Sequence, residues 1–296
     1  MLEPSTSSRV PAALPLVAAT ACWGIGTVVT KQIVGDVAPL TLLPMQLAAS
    51  CVLLLALCLV RHERLTWGAG TRRLAALGVL NPGLAYALGL LGLVTITASM
   101  SVLLWAAEPV LIVLLAVLLL REHVPRRRTV TLAVAVAGVL LVVYQPGATG
   151  SAFGVILTLA AVACCALYTV ATRRLLLDDA SLPVVLGQQV AALVFAVCLA
   201  TLVEFSGGPG WSLSGPSWGT WAAAAGSGCL YYGLAFWFYL AGLRHLDASA
   251  AGAFLPLIPI FGVAAGLLAG EHLDPRQWLG ALIVIAATTS MALQRP

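Results

Sequence analysis

The sequence predicts an all-α membrane protein of ten transmembrane helices, arranged as two inverted five-helix repeats around a central cavity. Three observations predict it. Hydrophobic residues make up 61% of the chain and charged residues 9%, against about a quarter charged in an ordinary soluble domain, so lipid must be the solvent for most of the surface. Apolar runs of about 20 residues, the length of helix that crosses a hydrocarbon core, occur ten times. The text of the first half also returns in the second: Thr27-Val28-Val29-Thr30-Lys31 as Thr169-Val170-Ala171-Thr172-Arg173, Gly83-Leu84-Ala85-Tyr86 as Gly233-Leu234-Ala235-Phe236, and Glu122-His123 as Glu271-His272.

The runs cover 13–33, 39–60, 74–93, 98–120, 129–144, 152–172, 182–204, 218–241, 248–270 and 277–293. The repeat offset is 142 residues at first and 149 to 150 later, because the glycine-rich stretch from Gly207 to Gly215 lengthens one loop. The halves are therefore 1–146 and 147–296. The first run is too long, and its flank too weakly basic, for a cleaved signal peptide, so it is expected to stay in the mature protein. In the second and seventh runs Gln46, Gln188 and Gln189 are candidates for cavity polarity. The third carries Asn81-Pro82-Gly83 at its midpoint, where proline removes a backbone donor and a kink is expected.

The fourth run holds Glu108, the only acidic residue near the centre of any run. With Ser101 and Trp105 it would share one helix face. A carboxyl at that depth could accept a substrate ammonium, carry a coupling proton, or serve as a protonated structural group bonded to a neighbouring helix. The eighth run has Tyr231-Tyr232-Gly233 where the third has Asn81-Pro82-Gly83, preceded by Gly226-Ser227-Gly228. In the ninth, Pro256 and Pro259 are candidate hinges, with Pro259 aligned to Pro109 of the fourth; Pro82, Gly83 and Pro109 complete the hinge set. Trp23, Tyr86, Trp105, Tyr168, Tyr231, Tyr232 and Trp237 lie mid-run, away from the interfacial belts where aromatics collect. Such rings could wall a cavity for an aromatic solute and offer cation–π contact to an ammonium, or could simply be packing. Lys31 and Arg173 sit at repeat-equivalent run ends and are expected to snorkel to the interface.

With ten spans and both termini on one side, that side holds thirteen of the fifteen basic residues, all but Lys31 and Arg276. The positive-inside rule then puts both termini in the cytoplasm. Arg126-Arg127-Arg128 is an orientation signal rather than a nucleic-acid patch, and the net charge of +4 requires no nucleic acid. Five spans per half make the halves opposite in topology, which places a site at mid-membrane between them. All seven cysteines fall in apolar runs without metal-ligand or CxxC spacing, and are read as packing residues. No P-loop, GxSxG or HExxH is present, so no metal, cofactor or enzymatic activity is expected.

Trp23-Gly24, Glu108-Pro109 and the terminal Glu122 and Glu271, on a five-plus-five pattern spanning 13–293, resemble the EamA-type members of the drug/metabolite transporter superfamily. The mid-membrane aromatics make the chain similar to bacterial aromatic amino-acid exporters. The resemblance implies a ten-helix basket in the bacterial inner membrane, with runs one, three, four, six, eight and nine nearest the substrate. By that analogy Trp23, Asn81, Tyr86, Trp105, Glu108, Tyr168, Tyr231 and Trp237 are the candidate site. The implied function is secondary transport by alternating access, exporting amino acids or related small metabolites, foremost aromatic ones. The alternatives are efflux of drugs or cationic metabolites, and a channel-like facilitator. The partners expected are a small-molecule substrate and the lipid bilayer; a monomer is compatible with the pattern.

Overall fold

The computed structural model describes residues 9–63, 69–108, 111–112, 114–115, 126–143, 151–175, 182–211, 215–243, 254–255 and 257–293. Among these there is no strand. In the first half α1 is Arg9–Ile33, α2 Pro39–Val60, α3 Ala69–Ala76, α4 Ala85–Leu93, α5 Ala98–Trp105 and α6 Arg126–Val143. In the second, α7 is Ser151–Leu175, α8 Leu182–Phe205, α9 Trp218–Gly228, α10 Ala235–Leu243, α11 Leu257–Leu268 and α12 Pro275–Leu293. Leu14–Ile33, Pro39–Val60, Arg72–Leu93 and Leu182–Phe205 are long and apolar enough to cross a membrane.

The two expected flexible centres are both wide helical turns at matched places. Leu80–Leu84 forms a π turn between α3 and α4, and Cys229–Leu234 forms one between α9 and α10. In the first, Asn81 leaves helical geometry (φ −145°, ψ 119°), because the ring of a following proline drives the preceding residue toward extended backbone. The second turn is held from outside, since the Gln189 amide donates to the Tyr232 carbonyl at 3.0 Å.

Packing is symmetric under exchange of the halves. α4 packs on α7 as α10 packs on α1, while α2 meets its counterpart α8 and α6 meets its counterpart α12. The same close approaches recur. A Cβ on Gly78 would overlap the backbone of Gln188, and a Cβ on the equivalent Gly228 would overlap that of the equivalent Gln46. Likewise a Cβ on Gly92 would strike Thr158, and one on Gly242 would strike Leu16, its repeat partner. Small residues thus let backbones approach where lipid provides no hydrophobic drive between helices.

This closeness corrects the expected role of the glutamines. Gln46, Gln188 and Gln189 are 0%, 5% and 1% exposed, and they are spent on neighbouring helices because a buried amide must find partners. Gln46 donates to Thr30 Oγ1 (3.1 Å) and Ser227 Oγ (2.8 Å). Gln188 donates to the Leu74 carbonyl (3.2 Å) and accepts from the Tyr168 hydroxyl (3.0 Å), and Gln189 accepts from Ser50 Oγ at 3.0 Å.

Two further expectations change. The run 98–120 is not one helix: it turns at Ala106 and Ala107, since Pro109 can neither donate to Trp105 nor fit beside its carbonyl. Ser101, Trp105 and Glu108 therefore do not lie on one continuous helical face. Lys31 does not snorkel; its Nζ donates to the carbonyls of Leu93 (2.7 Å) and Val94 (3.1 Å) at the end of α4, where the carbonyls of a helix C-terminus lack intrahelical donors. Pro109 and Pro256 lie outside the described residues, as do Glu122 and the side chain of Arg173.

Candidate functional site

Where α1, the first π turn and α4, α5, α7, the second π turn, α10 and α11 meet, they surround a cavity of about 170 Å³. Seven of the eight candidates line it: Trp23, Asn81, Tyr86, Trp105, Glu108, Tyr168 and Tyr231. Trp237 does not. Its ring stacks on Phe238 (centroids 5.3 Å apart) and lies under the Arg61 guanidinium at 4.8 Å. Phe236 and Tyr239 take the wall instead; they are three residues apart and share a helix face that position 237 cannot share.

The wall is built from repeat-equivalent positions. Trp23 and Cys165, Asn81 and Tyr231, Tyr86 and Phe236, Trp105 and Leu255, Glu108 and Ile258 are pairs under the repeat offset, and all ten side chains line the same cavity. The cavity thus straddles the relation between the halves, but its chemistry does not. Each pair sets a polar or larger group in one copy against a different group in the other, and among these ten residues the carboxylate occurs once. Among the hinge candidates, Pro259 is buried in this wall, and Pro82 and Gly83 are buried in the first π turn.

Cys165 does more than pack. Its Sγ–H donates to Glu108 Oε1 at 3.2 Å, and its sulfur accepts from Asn81 Nδ2 at 3.3 Å. A single thiol therefore joins the break in the third run to the carboxylate of the fourth. Two polar atoms on this wall remain without partners, Asn81 Oδ1 and Trp23 Nε1, in side chains 4% and 9% exposed. A buried amide group without a partner costs about 1–3 kcal/mol, so a ligand that satisfies it gains affinity.

The aromatic rings around the cavity form two groups, one on Tyr86 and one on Trp23. Tyr86 stacks on Trp105 (5.4 Å, 27°) and meets Tyr231 and Tyr232 edge-on at 5.4 and 5.0 Å. Trp23 meets Phe236 edge-on at 5.4 Å. Tyr86, Trp105 and Tyr231 also face a smaller pocket of about 20 Å³ that reaches Thr30, Leu93 and Ser101. Toward the Lys31 end of the bundle the cavity thus narrows to a space of about 20 Å³, room for about one water.

That end is also tied between the halves. Glu271, just beyond α11, accepts from the backbone N–H groups of Ala98 (2.7 Å) and Ser99 (2.9 Å) at the start of α5. A carboxylate there meets unpaired donors and the positive end of the helix dipole. Charge-assisted hydrogen bonds of this kind contribute about 1.5–3 kcal/mol. Glu271→Gln is expected to loosen this end, so that Ser101→Cys, buried in the parent, reacts about tenfold faster with a membrane-impermeant thiol reagent; an unchanged rate would mean that Glu271 is not a latch.

The sequence profile of the EamA-like transporter family matches residues 10–144 and 152–293. No curated protein matches the chain. One solved structure, titled only as the crystal structure of a protein, is similar over 96% of this chain and 97% of its own, with a TM-score of 0.70 and 18% identity. At that identity the likeness shows a shared fold.

Proposed function

The chain belongs to the EamA-like transporter family, and on that premise we propose that it is a secondary carrier of small aromatic amino compounds. Members of the family are membrane transporters of small molecules rather than enzymes, so the fold's task is to move a solute. In this reading ten helices form two inverted five-helix repeats in a bacterial inner membrane, with both termini cytoplasmic. Solute leaves the cell as the halves exchange conformations, and the matched π turns and prolines bend in the exchange. Aromatic amino acids and related amines make up the substrate class.

The observation that carries this reading is the cavity itself. It lies where repeat-equivalent positions converge, so a rearrangement that swaps the halves' conformations opens it to the other face without destroying it. Its volume of about 170 Å³ suits one aromatic ring, since a cavity of roughly 150 Å³ holds benzene. The narrowing toward Lys31 and the Glu271 tie support closure at one end, which favours a carrier over an open pore.

Purified protein in liposomes provides the test. Saturable uptake of an aromatic amino compound, accelerated by the same solute preloaded inside, is expected; flux that rises linearly without saturation or counterflow would make the protein a channel. Trp105→Ala separates packing from recognition. Losing the stacked ring should lower affinity for aromatic solutes by about 1 kcal/mol, roughly fivefold, and leave small aliphatic amines within about twofold. Equal losses for both would assign Trp105 to packing.

A further inference from the structure

We propose that the small pocket beyond the cavity is a subsite for a ring hydroxyl, so that the carrier prefers para-hydroxylated aromatic amino compounds to their unsubstituted counterparts. This rests on the carrier reading above and narrows its substrate class. Three stretches of chain fix where the pocket lies. On α1, Trp23 lines the cavity alone, Thr27 lines both spaces and Thr30 lines the pocket alone. From the first π turn into α4 the same order is kept by Asn81, Tyr86 and Gly89, and from Glu108 back along α5 by Glu108, Trp105 and Ser101. Successive members on α1 and α5 are three or four residues apart, one helical turn on one face. The pocket therefore sits one turn beyond the ring space along the bundle axis, with Tyr86 and Trp105 as shared wall. From Trp23 to Thr30 the helix rises about 10 Å, comparable to a para-substituted ring with its two-carbon amine chain.

Size and polarity select together. The pocket of about 20 Å³ has room for about one water, hence for a hydroxyl but not for a methoxy group. Its hydroxyl-bearing wall is buried: Thr27, Thr30 and Ser101 are 6%, 5% and 2% exposed. Thr27 Oγ1 donates to the Trp23 carbonyl at 3.0 Å, and Thr30 Oγ1 accepts from the Gln46 amide at 3.1 Å. Ser101, one turn from the Trp105 ring, is the group placed to meet a phenol, since each hydroxyl can both donate and accept. A site that hydrogen-bonds a solute hydroxyl rejects the analogue lacking it, because its own buried polar group is then left without that bond. At the other end of the axis Asn81 Oδ1 has no partner among the described residues, in a side chain 4% exposed, and can accept an N–H of the amino group. The solute is thereby oriented, amine toward the Asn81 break and hydroxyl toward Lys31.

The test is counterflow in proteoliposomes of the full chain with three probes that differ only at the para position: tyramine, phenethylamine and 4-methoxyphenethylamine. Tyramine is expected to exchange with a kcat/KM about fivefold or more above that of phenethylamine, the factor one neutral hydrogen bond supplies, and the methoxy compound to exchange more slowly than either. Ser101→Ala should bring tyramine down to the level of phenethylamine. Equal exchange of tyramine and phenethylamine, a tyramine preference that survives Ser101→Ala, or exchange of the methoxy compound as fast as tyramine would each overturn the proposal and leave the carrier reading standing. Failure of all three probes to exchange would instead defeat the carrier reading, and this proposal with it.

Discussion

Gly78→Val and Gly228→Val should each eliminate the folded protein, whereas Gly226→Val, two residues from one of them, should be tolerated. A Cβ at Gly78 would overlap the carbonyl of Gln188, and one at Gly228 would overlap that of Gln46. The obstruction in both cases is backbone, which cannot rotate aside as a side chain can. Relief requires α2 to separate from the end of α9, which holds Gly228, or α8 from the turn Leu77–Val79, which holds Gly78. That would also strand Gln46, Gln188 and Gln189, whose amide hydrogen bonds stitch these helices together. Overpacking of this severity, with buried amides left unpaired, costs more than about 3 kcal/mol. Gly226 has nothing within 4 Å of its Cβ position. Detergent-solubilised yield and monodispersity on size exclusion report the outcome, and equal behaviour of the three variants would contradict the packing described.

Glu108→Gln should leave the fold intact and depress transport of amines. Glutamine keeps the volume and an acceptor for the Cys165 thiol, so the local chain from Asn81 through Cys165 survives. What it removes is the charge. Truncating one partner of a buried, hydrogen-bonded charge pair costs about 2–5 kcal/mol, so kcat/KM for a cationic solute should fall about 30-fold or more, with unchanged thermal stability. A neutral aromatic solute should be affected far less. If amine transport were preserved, Glu108 would be a structural carboxyl, as the sequence alone also allowed.

The repeat was legible because it is written in residues that cannot be exchanged freely. Glycines at backbone contacts, the Asn81-Pro82 break and the aromatic positions survive in both copies or differ in telling ways. Seven wall residues were readable for the same reason: an aromatic, amide or acid in mid-run is conspicuous against aliphatic neighbours. Facing was not readable. A helix that is apolar on all sides has no stripe to separate cavity from lipid, so the sequence points to Trp237 as a wall residue and passes over Phe236. The pairing of Phe236 with Tyr86 would have found it. Cys165 was missed because a thiol among alanines reads as packing, although it stands three residues before Tyr168 and at the repeat position of Trp23. The glutamines misled in the opposite sense, since a polar residue in lipid can serve a neighbouring helix as well as a cavity.

The central claim is one cavity, shared by the two repeats and reached in turn from each face of the membrane. Ile258 lines it opposite Glu108 in the repeat, and a cysteine there reports access directly. In a background with Cys165 changed to serine and the other native cysteines to alanine, Ile258→Cys should react with a membrane-impermeant thiol reagent applied to either face of sealed vesicles, and saturating tryptamine should slow both reactions. Labelling from one face only, or labelling that transported solute does not slow, would contradict it.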